Sequence, residues 1–194
     1  MSLKDHTTHG ESTRQLTQPP GTSGNGSRAL AVLRIATGLL FLWAFLDKTF
    51  GWGYATPSAN AWLNGGSPTK GFLSHVNAGP FASTLHSWAG TWWADWLFML
   101  GLAAIGVAVT LGIGLRISAA AGTIMMALMW IAEWPPARTT LDGKPSMSTN
   151  PIIDYHLVYA LVLIALAATL AGRTWGLGRR WANLSFVDRN PWLR

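Results

Sequence analysis

Four apolar stretches, separated by segments rich in polar residues, glycine and proline, dominate the hydrophobic pattern of the chain. The first stretch, residues 29–46, carries a single charge, and as a helix it reaches about 27 Å, close to the thickness of the bilayer hydrocarbon. The same criterion places membrane-spanning helices at about 29–50, 96–115, 117–134 and 152–171. The pattern predicts an all-α membrane protein, a four-transmembrane-helix bundle with a long interfacial segment between helices 1 and 2.

The first helix carries polar residues on one face. Residues three or four positions apart lie on the same side of an α-helix, so one face carries Arg34, Gly38, Phe41, Phe45 and Lys48. Charged groups are costly against lipid, so this face is expected to look inward at the other helices.

The segments outside the four spans differ in composition. Residues 1–28 are polar and rich in Ser, Thr, Gly and Pro, which predicts a disordered tail and not a signal peptide. Residues 50–95 are rich in tryptophan, which favours a position along the membrane interface, with short helices at 72–76 and 81–88. Residues 173–194 form a basic tail that is predicted to be cytoplasmic.

Composition supports the membrane class and limits the redox chemistry. Hydrophobic residues make up 49% of the chain and charged residues 11%, which is far below the ~25% charged residues of a soluble protein. The chain has no cysteine. It therefore cannot form a disulfide, bind an iron–sulfur cluster through thiolates, attach a c-type haem or use a CxxC pair.

The distribution of charge predicts the topology. If both termini lie inside, most of the 14 Lys and Arg residues fall in inner segments, and most of the 8 acidic residues fall in outer ones. This satisfies the positive-inside rule, so we predict a multi-pass protein of the bacterial inner membrane with both termini cytoplasmic. The net charge of +6 then reflects topology and contact with membrane lipids, and nucleic acid is not expected as a partner.

Folding the spans back on one another brings ionisable residues to the outer ends of three helices. We call this set the outer rim, and its members are Asp47, Lys48, Glu133, Asp154 and His156. Ionisable groups at membrane depth cost about 2.5–3.5 kcal/mol each on insertion scales, which makes them candidates for function. The alternative for any one of them is an interfacial anchor or ion pair, because side chains at helix ends can reach water.

His156 is the one histidine inside a predicted span, and Asp154, Tyr155 and Tyr159 lie close to it along the helix. An imidazole in this place can donate to a quinone carbonyl or move a proton near neutral pH. The alternative is a histidine that is hydrogen-bonded to a neighbouring helix.

The start of the fourth helix is a candidate anion site. Pro151 is expected as its first residue behind an Asn150 cap, and the free N–H groups there, with Lys48 and Arg138, could hold a small anion. Alternatively, Asp154 in the first turn only satisfies the helix dipole.

The histidines outside the spans do not predict a metal or haem site. His75 and His86 are eleven residues apart, without a ligand pair one helical turn apart and without an HExxH motif. A quinone as electron acceptor is the cofactor implied by the family resemblance described next.

Six segments of the chain carry a family resemblance. They are LRIATGLLFLWAFLDK (33–48), GGSPTKGFL (65–73), AGPF (78–81), DWLFMLGLAAIGVAVTLGIGLRIS (95–118), MWIAEWPP (129–136) and DYHLVYALVLI (154–164). In this order and spacing they resemble the DoxX/DoxD family, in particular the branch related to the membrane subunit of thiosulfate:quinone oxidoreductase. The resemblance covers residues 33–178 and excludes both tails.

The resemblance implies oxidation of thiosulfate to tetrathionate with transfer of electrons to quinone. On this interpretation Lys48 and Arg138 bind the anion, Asp47 and Glu133 set their positions, and His156 with Asp154 faces the quinone. Lys48 and Glu133 join His156 and Asp154 as catalytic candidates. Tyr155 belongs to the substrate site, and the expected aromatic walls of the quinone site are Tyr159 and Trp130.

A different function class stays open at this point. A non-catalytic membrane subunit that anchors or assembles a redox complex would explain the absence of cofactor motifs. A partner redox subunit and a homo-oligomer are compatible with both interpretations. A small transporter fits less well, since the sequence shows no inverted repeat and no broken helix.

Overall fold

The computed structural model describes residues 24–193, whose regular secondary structure is helical, with long connections at 51–69 and 134–154 and one isolated bridge between Thr139 and Pro145. The described helices are α1 Gly24–Phe50, α2 Lys70–Leu73, α3 Ala82–Trp88, α4 Trp92–Leu111, α5 Leu115–Glu133, α6 Tyr155–Ala168, α7 Gly178–Ala182 and α8 Ser185–Arg189. Four single 3-10 turns lie at Ser58–Asn60, Trp62–Asn64, Ala171–Arg173 and Pro191–Leu193.

Three of these helices, α1, α4 and α5, are long and apolar enough to cross a membrane. The fourth apolar helix, α6, has 14 residues and is shorter than a typical span. Large apolar side chains are exposed on the outer surface of all four helices, among them Leu39, Leu100, Ile124 and Leu161. These features indicate a multi-pass membrane protein.

The first helix begins earlier than predicted. It includes Gly24–Arg28, so the prediction of a disordered tail is wrong for these five residues, while residues 1–23 lie outside the described part of the chain. Polar residues can continue the helix here because the first turn of a helix has unpaired N–H groups that solvent can satisfy. The inward face of this helix is confirmed: Arg34, Gly38 and Phe41 are buried.

The second span also starts earlier than predicted, at Trp92, and it ends at Leu111. Gly112 adopts the left-handed conformation, with φ of 74°, and its N–H bonds to the carbonyls of Ala108 and Val109. Glycine favours this conformation because it has no Cβ. The chain therefore turns tightly between α4 and α5.

The fourth helix begins at Tyr155, four residues after Pro151, the predicted first residue. Asn150 does accept backbone N–H bonds, from Ile152 at 2.9 Å and Ile153 at 2.8 Å, but it closes a turn and not a helix. Asp154 is the actual N-cap, and its Oδ1 accepts the N–H of Leu157 at 3.0 Å. Two capping side chains compete in this segment, and Asp154 starts the helix.

The bundle consists of two helix pairs, α1 with α4 and α5 with α6, joined by contacts between α4 and α5. Glycine permits the close approach of α1 and α4. A Cβ at Gly38 would lie 2.4 Å from the backbone nitrogen of Thr110, and one at Gly106 would lie 2.7 Å from that of Leu42. Small residues at helix crossings are typical of membrane bundles.

One contiguous core runs between the four apolar helices. It includes Phe41 from α1, Met99 and Ile105 from α4, Met126 from α5 and Leu163 from α6, each at most 5% exposed. The four helices thus pack as a single unit.

The aromatic connection between α1 and α4 packs against the end of α5. Val76, Ala82 and Leu85 form a small buried cluster with Ala132, and a Cβ at Gly79 would clash with the ring of Trp134. Its helices α2 and α3 lie close to the two short helices that the sequence predicts.

The C-terminal segment is folded onto the opposite end of the bundle. Arg34 is fully buried, and its guanidinium donates to the carbonyls of Val109 (2.7 Å), Thr110 and Trp175 (2.8 Å). The Leu177 N–H donates to the Leu111 carbonyl at 2.8 Å. The segment is therefore fixed to the end of α4.

Candidate functional site

The most concentrated group of polar side chains lies where α5 ends and α6 begins. Glu133 is the last residue of α5, Asp154 caps α6, and Tyr155 and His156 are the first two residues of α6. The structure thus brings together four of the predicted site residues, from two helices.

Two hydrogen bonds and one longer contact connect these four side chains, which we call the His156 network. The Nδ1–H of His156 donates to Oδ2 of Asp154 at 2.8 Å, and the Tyr155 hydroxyl donates to Oε1 of Glu133. The other Glu133 oxygen lies 3.9 Å from His156 Nδ1. Because a carboxylate only accepts, the contact with Asp154 fixes the proton of the neutral imidazole on Nδ1.

The environment of His156 is unusual for a histidine. Its side chain is 1% exposed, and Nε2 has no hydrogen-bond partner among the described residues. His156 follows the same buried face of α6 as Ala160 and Leu163, so its ring lies at the end of the main core. A buried polar atom without a partner is costly, and such atoms are often found where a ligand binds.

Glu133 connects the network to the surface, since its side chain is 34% exposed while that of Asp154 is 13% exposed. The carboxylate nearest to the surface thus lies 3.9 Å from Nδ1 of the buried imidazole.

Tyrosine rings pack at the start of α6. The Tyr155 ring centroid lies 4.0 Å from that of His156 and 6.1 Å from that of Tyr159. Trp130 has a structural role. Its indole N–H donates to the Ile152 carbonyl at 2.9 Å, and its ring packs edge-on against Trp134. Trp130 therefore holds the loop that leads into α6, and among the described residues no ring contact joins it to Tyr159 or His156.

The resemblance implies that Asp47, the other outer-rim carboxylate, positions Lys48, but in the structure Asp47 binds backbone N–H groups. It is 1% exposed and accepts the N–H groups of Ala55 at 3.0 Å and Tyr54 at 3.4 Å. These bonds fold the chain back after α1, and no hydrogen bond or ion pair of Asp47 to Lys48 is present.

The two predicted anion-binding cations remain separate from the network. The Lys48 ammonium lies 6.0 Å from the ring centroid of Phe98, at the limit of a cation–π contact. Arg138 is exposed in the loop before α6. Among residues 24–193, no hydrogen bond or ion pair joins either cation to Glu133 or Asp154.

Arg138 shares its loop with a surface ion pair. The Lys144 ammonium lies 2.7 Å from Asp142, and this contact together with a hydrogen bond from Thr140 lowers the pKa of the Asp142 carboxyl. Asp142 is thereby paired, which leaves Arg138 as a cation without an acidic partner in the described loop.

Three members of the network also have donor atoms that could hold a metal ion. One atom each from Glu133, Asp154 and His156 lie within 4.8 Å of one another. Sequence analysis does not predict a metal site here, because these three residues come from two helices and lack the spacing of a metal-binding motif. Each donor group already takes part in a hydrogen bond in the network, which favours proton chemistry at this site.

Comparison with known protein families, with curated proteins and with solved structures gives no match to this chain. The resemblance to the DoxX/DoxD family therefore stays a prediction, and function is argued from the site itself.

Proposed function

We propose that the protein is a membrane redox protein in which His156 exchanges a proton with a bound quinone. The observation that carries this proposal is the buried imidazole, whose Nδ1 is fixed by Asp154 and whose Nε2 is unpartnered. Neutral His156 accepts a proton at Nε2, and the imidazolium donates one from the same atom to a quinone oxygen. The Asp154 carboxylate on Nδ1 and the Glu133 carboxylate 3.9 Å from Nδ1 stabilise the imidazolium, and Nε2 is reprotonated from solvent when the quinol leaves.

The proposed substrate is thiosulfate. Two thiosulfate ions lose one electron each and join through a new S–S bond to give tetrathionate, while the quinone takes up two electrons and two protons to become a quinol. The anion is expected at Lys48, whose ammonium has no ion-pair partner among the described residues. The negative charges of Glu133 and Asp154 would repel a dianion, so we place it away from them.

The proposed membrane arrangement has four spans, with α6 as the last and both termini in the cytoplasm of a bacterial cell. The positive-inside distribution of charge supports this arrangement. Apolar Ile152 and Ile153 extend the 14 residues of α6 at its start, and a short span of this kind is accommodated by local thinning of the bilayer.

The test is thiosulfate-dependent reduction of a soluble quinone analogue by the purified protein in detergent. We expect His156→Ala to reduce turnover by about 100-fold, since general acid–base groups contribute roughly 10²- to 10⁴-fold. The matched control is His75→Ala, because His75 is exposed and its Nδ1 contacts only the Gly71 carbonyl and the Ser74 hydroxyl of its own segment. Equal turnover in the wild type and in a folded His156→Ala protein would remove His156 from the mechanism.

A second candidate is a non-catalytic subunit that anchors or assembles a redox complex. It is favoured by the separation of Asp47, Lys48 and Arg138, which no contact joins into an anion pocket. On this proposal the folded protein has no turnover of its own, and substitutions of Lys48 or His156 change the yield of a complex isolated from native membranes.

A further inference from the structure

A groove runs between α5 and α6 near the start of α5, on the side away from the His156 network. Its volume is about 520 Å³, within the range of roughly 300–1,000 Å³ that is usual for ligand sites. Small side chains, Ala120 and Ala168, line it, with Ile124 and Ile164 beside them. The groove is therefore wide, apolar and open toward the surrounding lipid.

The single charged residue lining the groove is Arg116, one residue after the first residue of α5. Its side chain is exposed, and its one hydrogen bond in the described part of the chain is a 3.3 Å contact from Nη1 to the Pro191 carbonyl. Most of its guanidinium donors are free to bind another acceptor. The neighbouring α7 adds two more exposed cations, Arg179 and Arg180, at this end of the bundle.

We propose that this groove binds one anionic phospholipid, with an acyl chain between α5 and α6 and the phosphate at Arg116. Basic groups at the end of an apolar groove between membrane helices match the two parts of such a lipid. A second copy of a helix could also pack on small residues, but it would not supply an anion for Arg116. The proposal does not depend on the redox chemistry of His156.

The experiment measures lipid binding to the whole protein by native mass spectrometry from a neutral detergent. The probes are phosphatidylglycerol and phosphatidylcholine with identical acyl chains, each with and without inorganic phosphate. Three variants are compared with the wild type. Arg116→Gln removes the cation, the double variant Ala120→Leu with Ala168→Leu fills the groove, and Arg189→Gln removes an exposed cation outside it.

We expect phosphatidylglycerol to bind more tightly than phosphatidylcholine by roughly fivefold, the factor that corresponds to about 1 kcal/mol for one basic residue. Arg116→Gln should remove this preference, the groove-filling variant should weaken both lipids, and Arg189→Gln should change neither. All variants should elute as the wild type does in size-exclusion chromatography, because the substituted side chains lie on the surface.

Three results would overturn the proposal. The first is equal binding of the two lipids to the wild type. The second is displacement of phosphatidylglycerol by free phosphate, which would show a site for the anion alone. The third is a wild-type dimer that the groove-filling variant converts to monomer, which would assign the groove to a second copy of the chain.

Discussion

At the level of single residues, three aspartates near helix ends each accept hydrogen bonds from nearby backbone N–H groups. Asp47 accepts the N–H groups of Tyr54 and Ala55, and Asp95 accepts the backbone N–H and hydroxyl of Thr69 at 2.9 and 2.6 Å. Asp154 caps α6, and it alone of the three also binds an ionisable side chain. Asp47 and Asp95 thus hold neighbouring loops in place. Asp154 has a structural role as a helix cap and also contacts the histidine proposed to transfer protons.

Substitution can separate the two roles of Asp154, as the N-cap of α6 and as the hydrogen-bond partner of His156. In Asp154→Asn the amide oxygen still caps α6, so stability should change by less than about 0.5 kcal/mol, since Asn and Asp are similar caps. The amide N–H₂, however, would donate to His156 Nδ1 and move the imidazole proton to Nε2. Quinone reduction should therefore fall by at least about tenfold, as expected when an imidazole is held in the wrong tautomer.

The measurement pairs thermal unfolding with the turnover assay, and Asp154→Ala is the companion variant. It removes both the cap and the imidazole partner, so it should also lose roughly 1 kcal/mol of stability. If Asp154→Asn keeps wild-type turnover, Asp154 is a cap and nothing more.

The sequence predicts the members of the site better than their contacts. His156 and Asp154 are two residues apart, so their contact follows from the chain itself. The bond between Tyr155 and Glu133 joins two helices across the loop 134–154, and no periodicity specifies it. The adjacent pair Asp47 and Lys48 suggested a joint site, but the loop N–H groups compete for the carboxylate.

At the scale of helices, hydrophobic periodicity predicts which face is buried but not where a helix ends. The inward face of α1 is confirmed because a polar face has only one stable orientation in a membrane bundle. The start of α6 was predicted wrongly, since Asn150 and Asp154 are both good caps and the choice depends on tertiary contacts.

The crossing of α1 and α4 gives a prediction at this scale. Gly106→Ala places a Cβ 2.7 Å from the backbone of Leu42, so the helices must separate, at a cost of about 1–3 kcal/mol. Gly101→Ala in the same helix meets only the flexible end of Met125 and should be neutral or stabilising, because alanine favours helix over glycine. Thermal unfolding in detergent followed by tryptophan fluorescence compares the two variants. Equal stability would contradict the close packing of α1 and α4.

At the scale of the whole molecule, Arg34 connects parts of the chain that are far apart in sequence. It lies in α1, and its guanidinium binds the last carbonyls of α4 and the carbonyl of Trp175 in the C-terminal segment. A cation at the C-terminal end of a helix interacts favourably with the helix dipole. The C-terminal segment also brings the Pro191–Leu193 turn to Arg116, at the end of the proposed lipid groove.

The topology of the whole chain depends on α6. Its 14 residues reach only about 21 Å, so it either spans a thinned bilayer or enters and leaves on one side. The absence of cysteine makes single-cysteine labelling direct. We expect Met147→Cys, at a position 84% exposed before α6, to react with a membrane-impermeant maleimide in intact cells. Ser185→Cys, at a position after α6, should react with the maleimide only in permeabilised cells.

Labelling of both variants in permeabilised cells is the control for access to the thiol, and the wild type controls for background. The prediction separates the two arrangements because only a spanning α6 puts positions 147 and 185 on different sides. Equal labelling of both in intact cells would leave three spans and place the C-terminal arginines outside, against the positive-inside rule. The charge distribution opposes that arrangement, because it would move to the outer surface the five arginines that follow α6: Arg173, Arg179, Arg180, Arg189 and Arg194.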